Sequence, residues 1–282
     1  MTPPVHVIGA SGRSGLALCR ALRADGVAVV PVVRDAAKWR AVGTGEAARV
    51  ADLGDPAALR NALGDAARVA SCAHARHTPA ILAAAPPAAR LVLLGSTRRF
   101  TRWPDAHGTG VLTGEAALLA SGRSGVMLHP TMIYGAQGED NVQRLAAVLR
   151  RLPVVPLPGG GRSLVQPIHQ DDVTSCVRAA LAISWQEPHA LVIAGPTPLP
   201  YADFVRAVAE AAGQRPPRIV PVPAWVLRLA APLTVLPGLP RVRGDEIRRL
   251  LEDKAFAIGP MIATLGVQPV ALKEGLARTF SR

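Results

Sequence analysis

The run Val5-His-Val-Ile-Gly-Ala-Ser-Gly-Arg-Ser-Gly15 constrains this chain more than any other stretch. A β-branched segment ends in glycines at positions 9, 12 and 15, and an apolar-periodic segment with Leu16, Leu18 and Leu22 follows at once. Strand, tight glycine turn and helix start, in that order, form the context that a dinucleotide-binding fingerprint requires. Gly9 permits the sharp turn, Gly12 lets backbone approach a pyrophosphate, and Gly15 lets the helix pack close to the strand. Exposed N–H groups at the helix start then hold anionic phosphates. Gly9, Ser11, Gly12, Arg13, Ser14 and Gly15 are therefore the first candidate cofactor contacts.

A chain of 282 residues, 49% of them hydrophobic, can bury one large α/β domain or a main domain with a smaller lobe. Its cysteines, Cys19, Cys72 and Cys176, are widely spaced and odd in number, which fits a reducing compartment better than a disulfide framework or zinc site. A first strand beginning by Val5 leaves no room for a signal peptide. The most apolar stretch, Val220 to Leu239, is interrupted by Arg228 and by Pro221, Pro223, Pro232 and Pro237, so no transmembrane segment is expected. These features together predict a cytoplasmic protein.

The formal charge of +12 comes almost wholly from arginine, since Lys38, Lys254 and Lys273 are the only lysines. The arginines are dispersed, and with four Trp, two Tyr and four Phe there is no aromatic-interleaved basic stripe. Nucleic-acid binding would need one. A basic cleft for an anionic cofactor or substrate accounts for the balance more economically. No His, Cys, Asp and Glu residues stand at metal-ligand spacing, so no metal is expected. Ser14 and Ser163 lack a Gly-x-Ser-x-Gly context, which argues against hydrolase chemistry.

Strand-like and helix-like segments alternate from the start, predicting a doubly wound parallel sheet of Rossmann type. The expected strands are 5–8, 27–33, 48–51, 68–72, 91–94 and 125–128. The expected helices between them are 15–25, 35–42, 56–63, 79–84 and 113–121. The texture changes near Tyr134, giving a nucleotide-binding domain over 1–134 and a smaller α/β lobe over 135–282 that interleaves with the main sheet. Within the lobe, helices are expected over 142–151, from an Asp171 or Asp172 cap to Ile183, and over 201–212, with strands at 191–193 and 219–222. Gly159-Gly-Gly-Arg162 reads either as a loop closing over an anion or as a hairpin turn between 154–157 and 164–168. The Trp225–Ala231 segment is expected to pack the lobe, against a membrane-surface alternative.

The second strand ends in Val33-Arg34-Asp35. An acidic side chain at this strand end serves the ribose hydroxyls of NAD, whereas Arg34 favours the 2′-phosphate of NADP through charge-assisted bonds. The sequence expectation is therefore NADP, with NAD less favoured.

The glycine loop, Asp52-Leu53, Gly95-Ser96-Thr97, His129-Pro-Thr-Met-Ile-Tyr-Gly135, Gln166-Pro-Ile-His-Gln-Asp-Asp172 and Leu265-Gly-Val-Gln-Pro269 follow one another along the whole chain. In this order they resemble the extended and atypical short-chain dehydrogenases/reductases, including the nucleotide-sugar epimerases/dehydratases. The resemblance implies that Asp52 and Leu53 meet the adenine, that Ala73 and His74 line the nicotinamide-ribose side, and that Pro130 to Ile133 flank the nicotinamide.

One departure matters more than the match. Redox members of the family use Tyr-x-x-x-Lys, in which lysine lowers the tyrosine pKa. Neither Tyr134 nor Tyr201 has a lysine four residues on. With Glu115 at the family's helix position after the lysine, the Tyr and Lys places fall at His107 and Val111. Three readings stay open: His107 as acid/base, Ser96 or Thr97 orienting a carbonyl while water supplies the proton, or no proton relay at all. His129 and His169 read as structural histidines. The leading expectation is an NADP-dependent oxidoreductase or epimerase-like enzyme acting on a small molecule, with an anionic substrate and a homodimer both open. The rival is a non-catalytic dinucleotide-binding redox sensor or assembly protein, similar to the accessory complex I subunit of the same superfamily.

Overall fold

The computed structural model describes residues 2–42, 45, 47–135, 141–230 and 248–281. Its centre is a parallel sheet of β1 (Val5–Ile8), β2 (Val29–Val33), β3 (Arg49–Val50), β4 (Arg68–Ser71), β5 (Arg90–Leu94), β6 (Gly125–Pro130) and β11 (Pro188–Ile193), in the order β11-β6-β5-β4-β1-β2-β3. β6 is buried along its whole length, as a strand covered on both faces must be.

Helices cover both faces. Beneath one lie α1 (Arg13–Ala24), α7 (Gln170–Ala182) and α10 (Gly259–Leu265), sharing a core with Leu18, Cys19, Val126, Cys176 and Met261. α1 buries Gly15, Leu18, Cys19 and Leu22, one stripe at helical spacing. Burying each such leucine contributes ~1.5–3 kcal/mol. On the other face α3 (Pro56–Leu63), α4 (Thr78–Ala84) and α5 (Ala106–Ala120) pack Leu59, Leu63, Ile81, Val111 and Leu118 against Leu91, Leu93 and Met127. Asp35 caps α2 (Ala36–Ala41) by accepting from the N–H groups of Ala37 and Lys38, and Asp55 caps α3 in the same way.

A third core surrounds Tyr134, Phe204, Val205 and Val208, where α6 (Asn141–Leu149), α8 (Tyr201–Ala211) and α11 (Leu272–Phe280) meet. Short pairs of strands edge this lobe: β7 (Ile133–Tyr134) with β10 (Ile168–His169), β8 (Val154–Pro158) with β13 (Arg218–Val222), and β9 (Leu164–Val165) with β12 (Leu199–Pro200). After α7 the chain returns to the main sheet as β11, beside β6.

Four expectations change. α5 starts at Ala106, seven residues before the expected 113, because Gly108 and Gly110 read as helix breakers in sequence while close packing uses them. The segments flanking Gly159–Gly161 do not form a hairpin with each other, since β8 pairs with β13 and β9 with β12. The cap of α7 is His169, whose Nδ1 accepts the Asp171 N–H, and both aspartates sit in the first turn, where the helix dipole favours them. α9 (Ala224–Ala230) leaves Trp225 65% and Leu229 72% exposed, so these two side chains do not pack the lobe, and Ala231 lies outside the described residues.

Candidate dinucleotide cleft and substrate site

The crossover direction of the sheet reverses between β4 and β1, and ligands of such sheets bind in the crevice outside the carboxyl ends of the strands there. Gly9 sits just past β1 at φ 74°, a left-handed conformation that a side chain would strain. A Cβ on Gly15 would collide with the Gly9 carbonyl oxygen, so only glycine lets α1 start this close to the turn. Gly12 is the exposed N-cap of α1, no side chain caps the helix, and no acidic residue stands in its first turn. The first-turn N–H groups of Arg13, Ser14 and Gly15 stand at this helix start, the kind of position that favours anions. Ser14 Oγ also donates to Gln170 Oε1 at 3.1 Å, tying the loop to α7.

Beside this loop opens a cleft of about 300 Å³ with an apolar floor of Ile8, Val32, Ala51 and Leu53. Its rim carries Gly9, Ser11, Arg34, Asp35, Lys38, Asp52 and His77. A flat base fits the floor, and the rim offers charges of both signs to a ribose. Asp52 is held by accepting the Gly54 N–H at 2.8 Å. Asp35 uses Oδ1 for its cap contacts, which hold the carboxyl below its usual range, helped by Lys38 and Arg34. The residues present therefore fit a dinucleotide.

On the other side of β1, the ends of β4, β5 and β6 carry the remaining candidates. Ala73 lies against Gly9, where a Cβ on Gly9 would be 3.3 Å from the Ala73 nitrogen. Pro130 closes β6 and is buried, while Ile133 opens β7 and is half-buried. Ser96 Oγ accepts the Arg98 N–H at 3.2 Å, and Thr97 Oγ1 donates to the Pro130 carbonyl at 3.2 Å. Both hydroxyls thus shape the loop after β5. His107 stands in the first turn of α5 and not in a loop, exposed, with its ring 4.3 Å from that of His74. Val111 is buried in the core, so the expected lysine place does not face the cleft.

Beneath the Ser96–Thr97 loop, His129 Nδ1 accepts the Ser96 N–H at 3.2 Å and its Nε2 lies 2.7 Å from Glu115 Oε2. Arg99 Nη1 reaches Glu115 Oε1 at 2.7 Å. Burial, with Arg99 nearby, pushes the His129 imidazole down to about 4, and burial raises the Glu115 carboxyl. His129 is therefore a neutral structural histidine. Tyr134 is buried in the lobe and its phenol pushed up by burial, so neither its position nor its acidity suits proton transfer in the cleft.

Sequence reasoning missed a strap. Asp105 caps α5 and pairs with Arg98 and, at 3.1 Å, with Arg249. Glu252 accepts from Thr101 Oγ1 at 2.9 Å and from the Arg102 N–H at 2.6 Å. Asp253 accepts the Leu164 N–H at 2.8 Å, and Phe256 N–H donates to Gln166 at 2.7 Å. Residues 248–256 thus join the loop after β5 to the lobe. Contacts separated by 89 to 151 residues leave no periodic trace in a sequence. Among the described residues, no His, Cys, Asp and Glu group could hold a metal and no helix is long and apolar enough to cross a membrane.

Residues 9–110 match the model of a family described as NAD(P)H-binding. No curated protein matches the chain. Several solved structures share the fold over nearly its whole length. MoeE5 in complex with UDP-glucose and NAD is 21% identical, with a TM-score of 0.72, covering 98% of this chain and 97% of that one. NADPH-dependent quinone oxidoreductase QOR2 from Escherichia coli is 19% identical, with a TM-score of 0.75, covering 98% and 100%. UDP-glucose 4-epimerase of Thermus thermophilus with NAD is 20% identical, with a TM-score of 0.73, covering 98% and 97%.

These structures correct the expectation that NAD is the less favoured cofactor, because those with NAD outnumber those that name NADPH. The physical reason lies at the end of β2. The Asp35 carboxylate lines the same cleft as Arg34, so this strand end is not the purely cationic pocket that the arginine alone suggested. The chain thus has a Rossmann-type fold, shared with MoeE5, QOR2 and UDP-glucose 4-epimerase, and its residues 9–110 match the NAD(P)H-binding family model.

Proposed function

We propose that this chain is an oxidoreductase that holds a nicotinamide dinucleotide across the β4/β1 switch point and acts on a small alcohol or carbonyl compound. The observation that carries the reading is that the α1 start and the apolar-floored cleft lie at the carboxyl edge of the sheet, the edge at which His74 follows β4 and meets His107. Gly9, Ser11, Gly12, Arg13, Ser14 and Gly15 hold the pyrophosphate, Arg34 and Asp35 the ribose, and Asp52 and Leu53 the adenine. Ala73, His74, Pro130 and Ile133 flank the nicotinamide. When bound, the dinucleotide supplies or accepts a hydride.

Ser96 or Thr97 orients the substrate oxygen, and His107 exchanges its proton in place of the missing tyrosine. Residues 1–134 serve the cofactor and 135–282 the substrate, with α7 and β11 returned to the sheet. Arg98, Arg99 and Arg249 near the loop favour an anionic substrate, a reading supported by the UDP-sugars held by similar structures. Cys19, Cys72 and Cys176 stand as thiols, which suits the reducing cytoplasm.

Calorimetric titration with NAD, NADH, NADP and NADPH in parallel tests this, on the native chain and on Gly12→Asp. Gly12 is exposed at φ −80°, where a side chain is allowed, and a Cβ there stands 3.1 Å from the Gly9 oxygen, so circular dichroism checks that the variant keeps the fold while it sets a carboxylate against the pyrophosphate. The expected result is binding by the native chain and at least tenfold weaker binding by the variant, a difference of about 1.4 kcal/mol. Binding of none of the four, or equal binding by the variant, overturns the reading.

A further inference from the structure

The ring contact between His74 and His107 is a built feature. Their centroids lie 4.3 Å apart with planes at 82°, and the approach depends on which residues α5 spends at its start. A Cβ on Gly110 would come within 2.9 Å of His74 Cε1 and 3.1 Å of Arg76 Cβ. A Cβ on Gly114 would overlap the Ala75 carbonyl. His107, Gly110 and Gly114 fall on one helical stripe. The helix accepts glycine, a poor helix former, where the segment 74–78 presses against it.

His74 is also fixed in tautomer. Its Nδ1 accepts the Arg76 N–H at 3.0 Å, so the neutral ring carries its proton on Nε2. That nitrogen is sealed from solvent, with no hydrogen-bond partner among the described residues. The charged groups around the pair are Arg76, His77 and Arg98 on the His74 side, and Arg98, Arg76 and Asp105 on the His107 side. Burial, the His107 ring and these cations push His74 down to about 4. Burial and Arg98 also lower His107, against Asp105.

We infer that His74 is the positioning partner of His107: a ring that holds the second imidazole edge-on beyond the carboxyl end of β4 and does not compete with it for a proton. The inference rests on the oxidoreductase reading above. In the oxidative direction, the substrate hydroxyl proton passes to the unprotonated nitrogen of His107. The hydride on the neighbouring carbon leaves with its electron pair to an oxidised nicotinamide, and the carbon–oxygen single bond becomes double. A neutral imidazole is the form this step needs.

The test is a pH titration of isotope-labelled histidine rings by NMR in the native chain, His74→Asn and His107→Gln. Asparagine keeps a side-chain acceptor for the Arg76 N–H, so His74→Asn removes the ring while retaining the cap. Unchanged dispersion of the remaining amide signals checks the fold. In His107→Gln the midpoint of His74 rises by roughly one pH unit. In His74→Asn the midpoint of His107 rises toward its ordinary value, as a polar amide replaces the ring packed edge-on against it. Adding NAD to the native chain moves the His107 signals. A remaining ring whose midpoint in each variant equals its midpoint in the native chain, or His107 signals indifferent to bound NAD, overturns the pairing even where calorimetry shows binding. A native chain that binds no dinucleotide overturns the oxidoreductase reading, and with it the pair's role, even where the rings are coupled.

Discussion

Glu115 Oε2 and His129 Nε2 stand 2.7 Å apart beneath the loop after β5, one on a helix and the other on the strand beside it. The imidazole's other nitrogen accepts the Ser96 N–H, and the carboxylate's other oxygen holds Arg99. Four groups from three elements thus fix the Gly95–Arg99 backbone. Gly95 belongs to the same arrangement, because a Cβ there would collide with the His129 ring.

Replacing Glu115 by leucine removes the carboxylate beside His129 and leaves Arg99 without its ion-pair partner in a site where Glu115 is 5% exposed. Unpaired buried donors cost about 1–3 kcal/mol. Urea denaturation should show that loss as a lower midpoint with an unchanged slope. A midpoint equal to that of the native chain would show that the network does not contribute to stability.

The low His129 pKa sets a pH dependence. Its folded value, about 4, lies below the unfolded 6.5, so the unfolded chain binds the extra proton between these limits. The contribution is fully present above pH 6.5 and is lost as pH falls toward 4, by roughly 3 kcal/mol at most. Glu115, raised by burial, works the other way: its contribution is present at low pH and is lost as pH rises through its folded value. Denaturant midpoints at pH 7 and pH 4.5 should differ more in the native chain than in His129→Gln.

Gly114→Ala sets a methyl group against the Ala75 carbonyl and within 3.0 Å of Thr78 Oγ1. Alanine is otherwise the better helix former. Packing should win here, because backbone cannot give way as a side-chain tip can, and overpacking of this kind costs about 1–3 kcal/mol. Thermal unfolding should report a lower Tm. A higher one would mean that the 74–78 segment moves freely away from α5.

The strap contact of Glu252 is open to a local measurement. Glu252→Ala removes the acceptor for Thr101 Oγ1 and the Arg102 N–H. Hydrogen exchange at 97–105 and 248–256 should quicken by roughly tenfold, corresponding to one lost charge-assisted bond, while β4 and β5 keep their protection. Acceleration spread evenly over the chain would mean global destabilisation instead.

The sheet and its helices were legible in sequence because each element carries its own period and punctuation. The Gly9–Gly15 turn, Asp55-Pro56 at the start of α3 and the buried run 125–130 each specify their structure locally. The start of α5 was not, because Gly108, Gly110 and Gly114 are explained by what approaches them from residues 74–78 and 98. His169 hid as the α7 cap behind two better-known capping residues. The cofactor preference went astray where one residue, Arg34, was read without the geometry of its neighbour Asp35.

β11 pairs with β6 over six residues, from Pro188 opposite Gly125 to Ile193 opposite Pro130. The last strand of the nucleotide-binding sheet is therefore made after α6, β8 and much of the lobe. During synthesis, β6 waits as an open, apolar edge through some sixty further residues, about 3–12 seconds at ordinary elongation rates. Any protein cut after residue 134 would keep that edge bare and be prone to edge-to-edge association. For this chain, solubility of the cofactor half is something the other half supplies.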